Sequence, residues 1–237
     1  MGWLVENADI KFELRRMATL LLMAAFACVL YLLRRNVLGE REYFSMVWNL
    51  FLAWIPYGIS CVMLVVSNFG KSKWIAFGLL SLGAMWLLFF PNAPYLLTNY
   101  AHFSWVGFTY IRPGLAEFVL RPWYDFVMFT TIIWCGVLAG LASLDVVHNM
   151  AEKHFGRIVG WVFVVVVNFL SSWAIYLGRF VRLNSWDVFS TPEVLLPHLL
   201  LCRERVLFIC LLSVFMVILY VCYRESYRRK NLNRMAG

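Results

Sequence analysis

The chain has 237 residues, of which 62% are hydrophobic and only 14% charged, against roughly 25% charged in an ordinary soluble domain. One globule of this size cannot hide so much apolar surface from water, so a soluble enzyme or binding domain is excluded and lipid becomes the fitting solvent. The net charge of +8 comes from basic residues between and beside apolar runs, a pattern of membrane topology and anionic head-group contact rather than of nucleic-acid binding.

Lys11, Arg15 and Arg16 precede the first apolar run, 17–33, which ends at Arg34-Arg35 without a small-x-small cleavage site. It reads as a retained first span and not as a removed signal. Further spans are expected at 43–66, 74–90, 123–144, 158–180 and 206–223, followed by a basic tail at 224–237. Each is close to the roughly 20 residues that a hydrocarbon core of about 30 Å requires. The expected fold is all-α, a single transmembrane domain of about six helices, with both termini on one side. Lysine and arginine favour that side by twelve to nine, which puts the termini in the cytoplasm. Two long loops, near 91–122 and 181–205, then share the outer face and are expected to pack over it as partly helical caps.

Five of the six cysteines fall inside spans and none forms a C-x-x-C, so they read as small buried hydrophobes rather than as disulfides or metal ligands. His148, His154 and His198 lack any H-E-x-x-H spacing, and there is no Walker P-loop or G-x-S-x-G. Nothing here calls for a metal or a cofactor. Gly136 and Gly140 form one G-x-x-x-G, a spacing that lets helices approach closely and is common by chance.

Three clusters carry candidate chemistry. In the first, Pro91 and Pro94 bracket Asn92, so the third span is expected to end there, with Asn92 capping a new helix through backbone N–H groups. Tyr95, Thr98, Asn99 and His102 recur at i, i+3, i+4 and i+7, one face of an α-helix. That face is either the wet side of an interfacial helix or a pocket wall with His102 as proton carrier. In the second, Pro122 opens a helix and puts Asp125 in its first turn, where the helix dipole favours a negative charge. Trp123 and Tyr124 suit an interfacial belt. Asp125 is either part of a helix start or an acid at a shallow site. In the third, Asn168, Ser171, Ser172, Tyr176, Arg179 and Arg182 form a polar stripe that should face protein or a water-filled cavity. Asn184 and Asp187 follow at once. The two arginines either snorkel and pair with Asp187, or form a fork for carboxylate or phosphate.

The sequence resembles the bacterial membrane family called domain of unknown function 1361. The likeness rests on Phe90-Pro91-Asn92-Ala93-Pro94-Tyr95-Leu96-Leu97-Thr98, on Trp123-Tyr124-Asp125, and on Tyr176-Leu177-Gly178-Arg179-Phe180 with Arg182, Asn184, Ser185, Trp186 and Asp187. It runs from about Trp74 to the sixth span. The family pattern has an aspartate after the threonine of the first motif where this chain has Asn99, which leaves Asp125 and Asp187 as the acids. The resemblance implies a multi-pass protein of a bacterial inner membrane and no particular activity.

Together these features suggest a shallow outer-face pocket lined by Asn92, Tyr95, Thr98, His102, Tyr124, Asp125, Tyr176, Arg179, Arg182, Asn184 and Asp187. Asp125 or His102 would serve as general acid or base if the site is catalytic. The partners expected are membrane lipids, including an anionic or lipid-linked envelope component that is bound or modified there. A small transporter or channel, and a non-catalytic assembly subunit, are the competing readings. The near absence of mid-membrane charge outside the fifth span counts against the transporter.

Overall fold

The computed structural model describes residues 2–38, 43–70, 72–102, 120–181 and 202–235. It is an all-helical bundle with no strand among those residues: α1 (Gly2–Leu38), α2 (Phe44–Ser67), α3 (Lys73–Phe89), a single turn α4 (Asn92–Tyr95), a 3-10 helix (Leu96–His102), α5 (Leu120–Phe155), α6 (Arg157–Tyr176), a π-helical turn (Leu177–Val181) and α7 (Arg203–Met235). Six of these stretches are long and apolar enough to cross a membrane. Six crossings return the chain to the side from which it started. The end of the bundle where α1 enters and α7 leaves is called the terminal face below, and the other end the far face.

Helix α5 is the axis of the bundle. Of its most apolar stretch 72% is buried, against 11% for the span built on α3. Their surroundings differ accordingly: Met128, Phe129, Ile132, Ile133 and Leu144 of α5 are sealed, whereas Trp74, Phe77 and Leu80 of α3 face outward. In lipid an outward apolar side chain costs nothing, so α3 needs only one anchored edge. Trp86 supplies it, donating from Nε1 to Ser143 Oγ of α5 at 2.6 Å and lying against the rings of Phe90 and Phe163.

The α5 helix also runs beyond the expected boundary at 144, reaching Phe155. Nothing in 145–155 stops a helix, and the first break is Gly156 at φ 87°, a left-handed conformation that glycine adopts without strain. The extension brings Asp145, His148 and Glu152 onto a helix that packs against its neighbours.

The segment around the two prolines stays helical rather than ending the span outright. Each proline lacks an N–H for the preceding turn. The chain answers with a tighter bond from Ala93 N to Phe90 O (3.1 Å) and one from Tyr95 N to Pro91 O (3.0 Å). Asn92 does not cap α4 as expected. Its side-chain amide donates backward to Phe89 O at 2.9 Å, supplying a donor to a carbonyl at the end of α3. Local necessity explains the change: prolines remove donors, so carbonyls are the groups left in need.

This segment lies on α5 through the two glycines. A Cβ on Gly140 would fall 2.5 Å from the Ala93 Cβ, and one on Gly136 would fall 2.1 Å from Leu96 Cδ1. The G-x-x-x-G therefore seats the proline turn rather than a long straight helix. Gly140→Ala should destabilise the protein by about 1–3 kcal/mol, because Ala93 has no flexible tip that can move aside. Gly136→Ala should cost less, since the Leu96 tip can rotate. Reversible unfolding in detergent measures both, and equal stability of Gly140→Ala and the parent would contradict this seating.

Candidate functional site

Among the described residues, two buried ion pairs join α1 to α5, one near each face. At the far face the Arg34 guanidinium grips the Asp125 carboxylate, Nε to Oδ1 at 2.6 Å and Nη2 to Oδ2 at 3.2 Å. The Arg34 side chain is only 2% exposed, and its guanidinium lies 4.6 Å above the Tyr43 ring. Tyr43 holds the left-handed φ of 69° to do this, a conformation that costs free energy in a non-glycine residue. Beside the pair, Tyr124 donates to Leu30 O at 2.6 Å. Asp125 and Tyr124 thus face α1, and no ion pair among the described residues joins Asp125 to Arg179.

At the terminal face, Arg16 donates to Asp145 Oδ2 at 3.1 Å, to Glu13 at 2.7 Å and to the Tyr223 hydroxyl at 3.0 Å. Glu13 in turn accepts from Tyr57 of α2 at 3.0 Å. Next to this group, Arg224 of α7 donates to Glu152 at 2.6 Å and to the Tyr220 hydroxyl at 3.0 Å, and also to His148 Nδ1. Glu13, Arg16, Asp145, Glu152 and Arg224 lie within candidate spans and pack between helices. Asp145, His148 and Glu152 repeat at i, i+3 and i+7, a helical stripe legible in the sequence. It is obscured if the fourth span is stopped at Leu144.

A second far-face group surrounds the π-helical turn. Arg179 donates from Nη2 to the Thr98 carbonyl at 2.7 Å and stands 5.8 Å from the Tyr95 ring centre. Its other N–H groups make no hydrogen bond among the described residues. A π turn holds an extra residue and is often found where a side chain must be re-aimed. Here it bends the end of the polar stripe toward the 3-10 helix. A groove of about 260 Å³ opens beside the guanidinium, lined by Leu97, Thr98, Ala101, Arg179, Phe180 and Phe208. Tyr176 stands behind it, packed on Phe180 and Phe208 with the Arg205 guanidinium over its ring.

The expected common face of Tyr95, Thr98, Asn99 and His102 is divided. A 3-10 helix has three residues per turn, so Tyr95 and Thr98 stay aligned while Asn99 turns away. Asn99 is 3% exposed and its side-chain N–H₂ has no partner among the described residues, and His102 is exposed at the helix end. Of the expected pocket residues, Tyr95, Thr98, Arg179 and Tyr176 gather around the groove. Asn92 serves the α3 terminus, and Tyr124 and Asp125 serve the α1 contact. Arg182, Asn184 and Asp187 lie outside the described residues. Lower on the same stripe, Asn168, Ser171 and Ser172 are buried in protein, with Asn168 and Ser172 bonded back to their own helix.

Fold and geometry define a multi-pass membrane protein with a charged cluster between its helices at one face and an arginine-lipped groove at the other. Residues 48–221 match the family described as Protein of unknown function (DUF1361), and the chain belongs to that family. The match begins in α2, ahead of the segment that carried the resemblance. No curated protein and no solved structure matches the chain.

The Arg34–Asp125 pair generates a direct prediction. Asp125→Ala takes the bidentate acid partner from a buried guanidinium and should cost about 3–5 kcal/mol. The double change Arg34→Met with Asp125→Leu should recover most of that loss. Equal destabilisation by the single and double variants, measured by unfolding in detergent, would show that the pair is not the source of the effect.

Proposed function

We propose that this membrane protein binds an anionic lipid or lipid-linked head group at the far face, with Arg179 holding the charge and the groove beside it holding apolar chain. The observation that supports the reading is one juxtaposition: a guanidinium anchored by a single backbone carbonyl, with further donors to spare, at the lip of an apolar groove. A guanidinium meets phosphate or carboxylate oxygens bidentately. Leu97, Ala101, Phe180 and Phe208 offer hydrocarbon rather than hydrogen bonds, which suits an acyl or prenyl segment and not a hydrated soluble anion.

The Thr98 contact matters as much as the charge. It fixes the fork, so less side-chain freedom is lost when an anion arrives. Tyr95 supports the cation from its ring face. In this reading Asp125 has no chemical part, because Arg34 already engages both of its oxygens. His102, at the exposed end of the same 3-10 helix, is the group that would act as acid or base if the bound head group is also modified.

Native mass spectrometry of the purified chain tests the reading, using mixed vesicles of phosphatidylglycerol and phosphatidylcholine as the lipid source. The wild type should retain phosphatidylglycerol selectively. Arg179→Gln should reduce that retention about tenfold, the loss of about 1.4 kcal/mol expected for one charge-assisted contact, and leave phosphatidylcholine unchanged. Arg179→Lys should keep the charge and lose part of the selectivity. Undiminished anionic-lipid retention in a folded Arg179→Gln protein would refute the assignment.

A further inference from the structure

The charged cluster at the terminal face lies far along α5 from the groove and has its own logic. It holds three carboxylates, Glu13, Asp145 and Glu152, and two guanidinium groups, Arg16 and Arg224. Their side chains are 3–23% exposed. These groups are largely withdrawn from water, where uncompensated charge is costly. His148 stands inside this cluster with a fully buried side chain. Its Nε2 is 3.3 Å from Glu152 Oε1, while Nδ1 meets the Tyr220 hydroxyl at 2.6 Å and Arg224. Arginine only donates, so in this arrangement Nδ1 presents its lone pair and the ring proton sits on Nε2, which is near Glu152 but makes no hydrogen bond among the described residues.

We propose that the cluster is a proton-binding site, in which a proton and the Arg224 guanidinium compete for the one lone pair of His148 Nδ1. When a proton takes Nδ1, the new N–H points at the Tyr220 oxygen. Tyr220 keeps its own proton and donates it to Asp145 Oδ1, 3.4 Å away. Arg224 loses the ring but keeps Glu152. Uptake adds one positive charge beside Asp145 and Glu152 and no covalent bond except N–H. It also removes one of the ties between α7 and α5.

Every helix around the ring bears on this exchange. The titratable and charged neighbours are Asp145 and Glu152 on α5, Tyr220 and Arg224 on α7, and, one contact further through Asp145, Arg16 and Glu13 on α1 with Tyr57 on α2. From α6 comes Trp161, which has no titrating proton. Its ring packs edge-on against His148 at 4.9 Å, and the Arg224 guanidinium lies 5.6 Å from it. Gly160 keeps the approach close, since a Cβ there would sit 3.0 Å from the imidazole. Trp161 therefore touches both competitors and reports on their exchange.

The test is the Trp161 fluorescence of the full chain in detergent, taken as wild type minus Trp161→Phe, between about pH 8 and pH 3. A protonated imidazole quenches indole, so the difference signal should fall in one single-proton step. The step should be absent in His148→Gln. In Arg224→Gln, where the competitor is gone, its midpoint should move to higher pH by about one unit or more, a tenfold or larger gain in proton affinity. A step that survives in His148→Gln, or a midpoint unmoved in Arg224→Gln, overturns the proposal. If those variants do not fold, wild-type protein with ¹⁵N-labelled histidine decides. A buried imidazole whose Nδ1 passes from acceptor to protonated over the same range supports the site. Nδ1 shifts that stay constant for the buried ring exclude it.

Discussion

A charge placed among lipid-spanning helices must find its partner inside the protein, and in this chain α1 brings an arginine to α5 twice. Arg16 meets Asp145 at the terminal face and Arg34 meets Asp125 at the far face. The arginines are eighteen residues apart on α1 and the aspartates twenty apart on α5, rises of about 27 and 30 Å at 1.5 Å per residue. That separation equals the hydrocarbon thickness of about 30 Å. Both helices are thus held in register, antiparallel, with their charged ends where water and head groups begin. A slip of one helix by a single residue would part both pairs at once.

With α1 and α5 fixed, the rest of the far face follows from backbone geometry. Two glycines on α5 allow the proline turn to lie directly against it, and the turn sets the direction of the 3-10 helix. Three residues per turn then select Tyr95 and Thr98, and not Asn99, as the side that meets α6. The Thr98 carbonyl receives Arg179 from the π turn. The proposed head-group site is thus assembled from two irregular helical turns. In a membrane such turns are tolerated where protein, rather than lipid, satisfies the freed backbone groups.

The terminal face uses the same physics differently. Its pairs are shared among α1, α2, α5 and α7, so no acid or cation belongs to one partner alone. Such networks are sensitive to the removal of any member and to the gain of a proton. The far-face pair is bidentate, whereas the terminal cluster retains an imidazole between an acid and a cation. The two ends consequently differ in kind: one clamp fixes geometry, and the other contains a titratable group.

Much was determined by the amino-acid order alone. Runs of apolar residues near the length of a hydrocarbon crossing dictate six helices, because lipid leaves the backbone no other way to satisfy its polar groups. The stripe from Asn168 to Arg179 was legible for the same reason, as polar side chains in a span must turn toward protein. Tertiary structure alone decided which charges meet. Arg34 and Arg16 read in one dimension as fences at the ends of the first span, and Asp125 as a helix start, since their partners are about 90 and 129 residues away. Asn99 leaves the expected face because the turn after the prolines has a tighter period than an α-helix, and Asn92 turns back because the prolines leave carbonyls without donors. Periodicity reports which side of a helix is polar; only packing fixes the neighbour that this side faces.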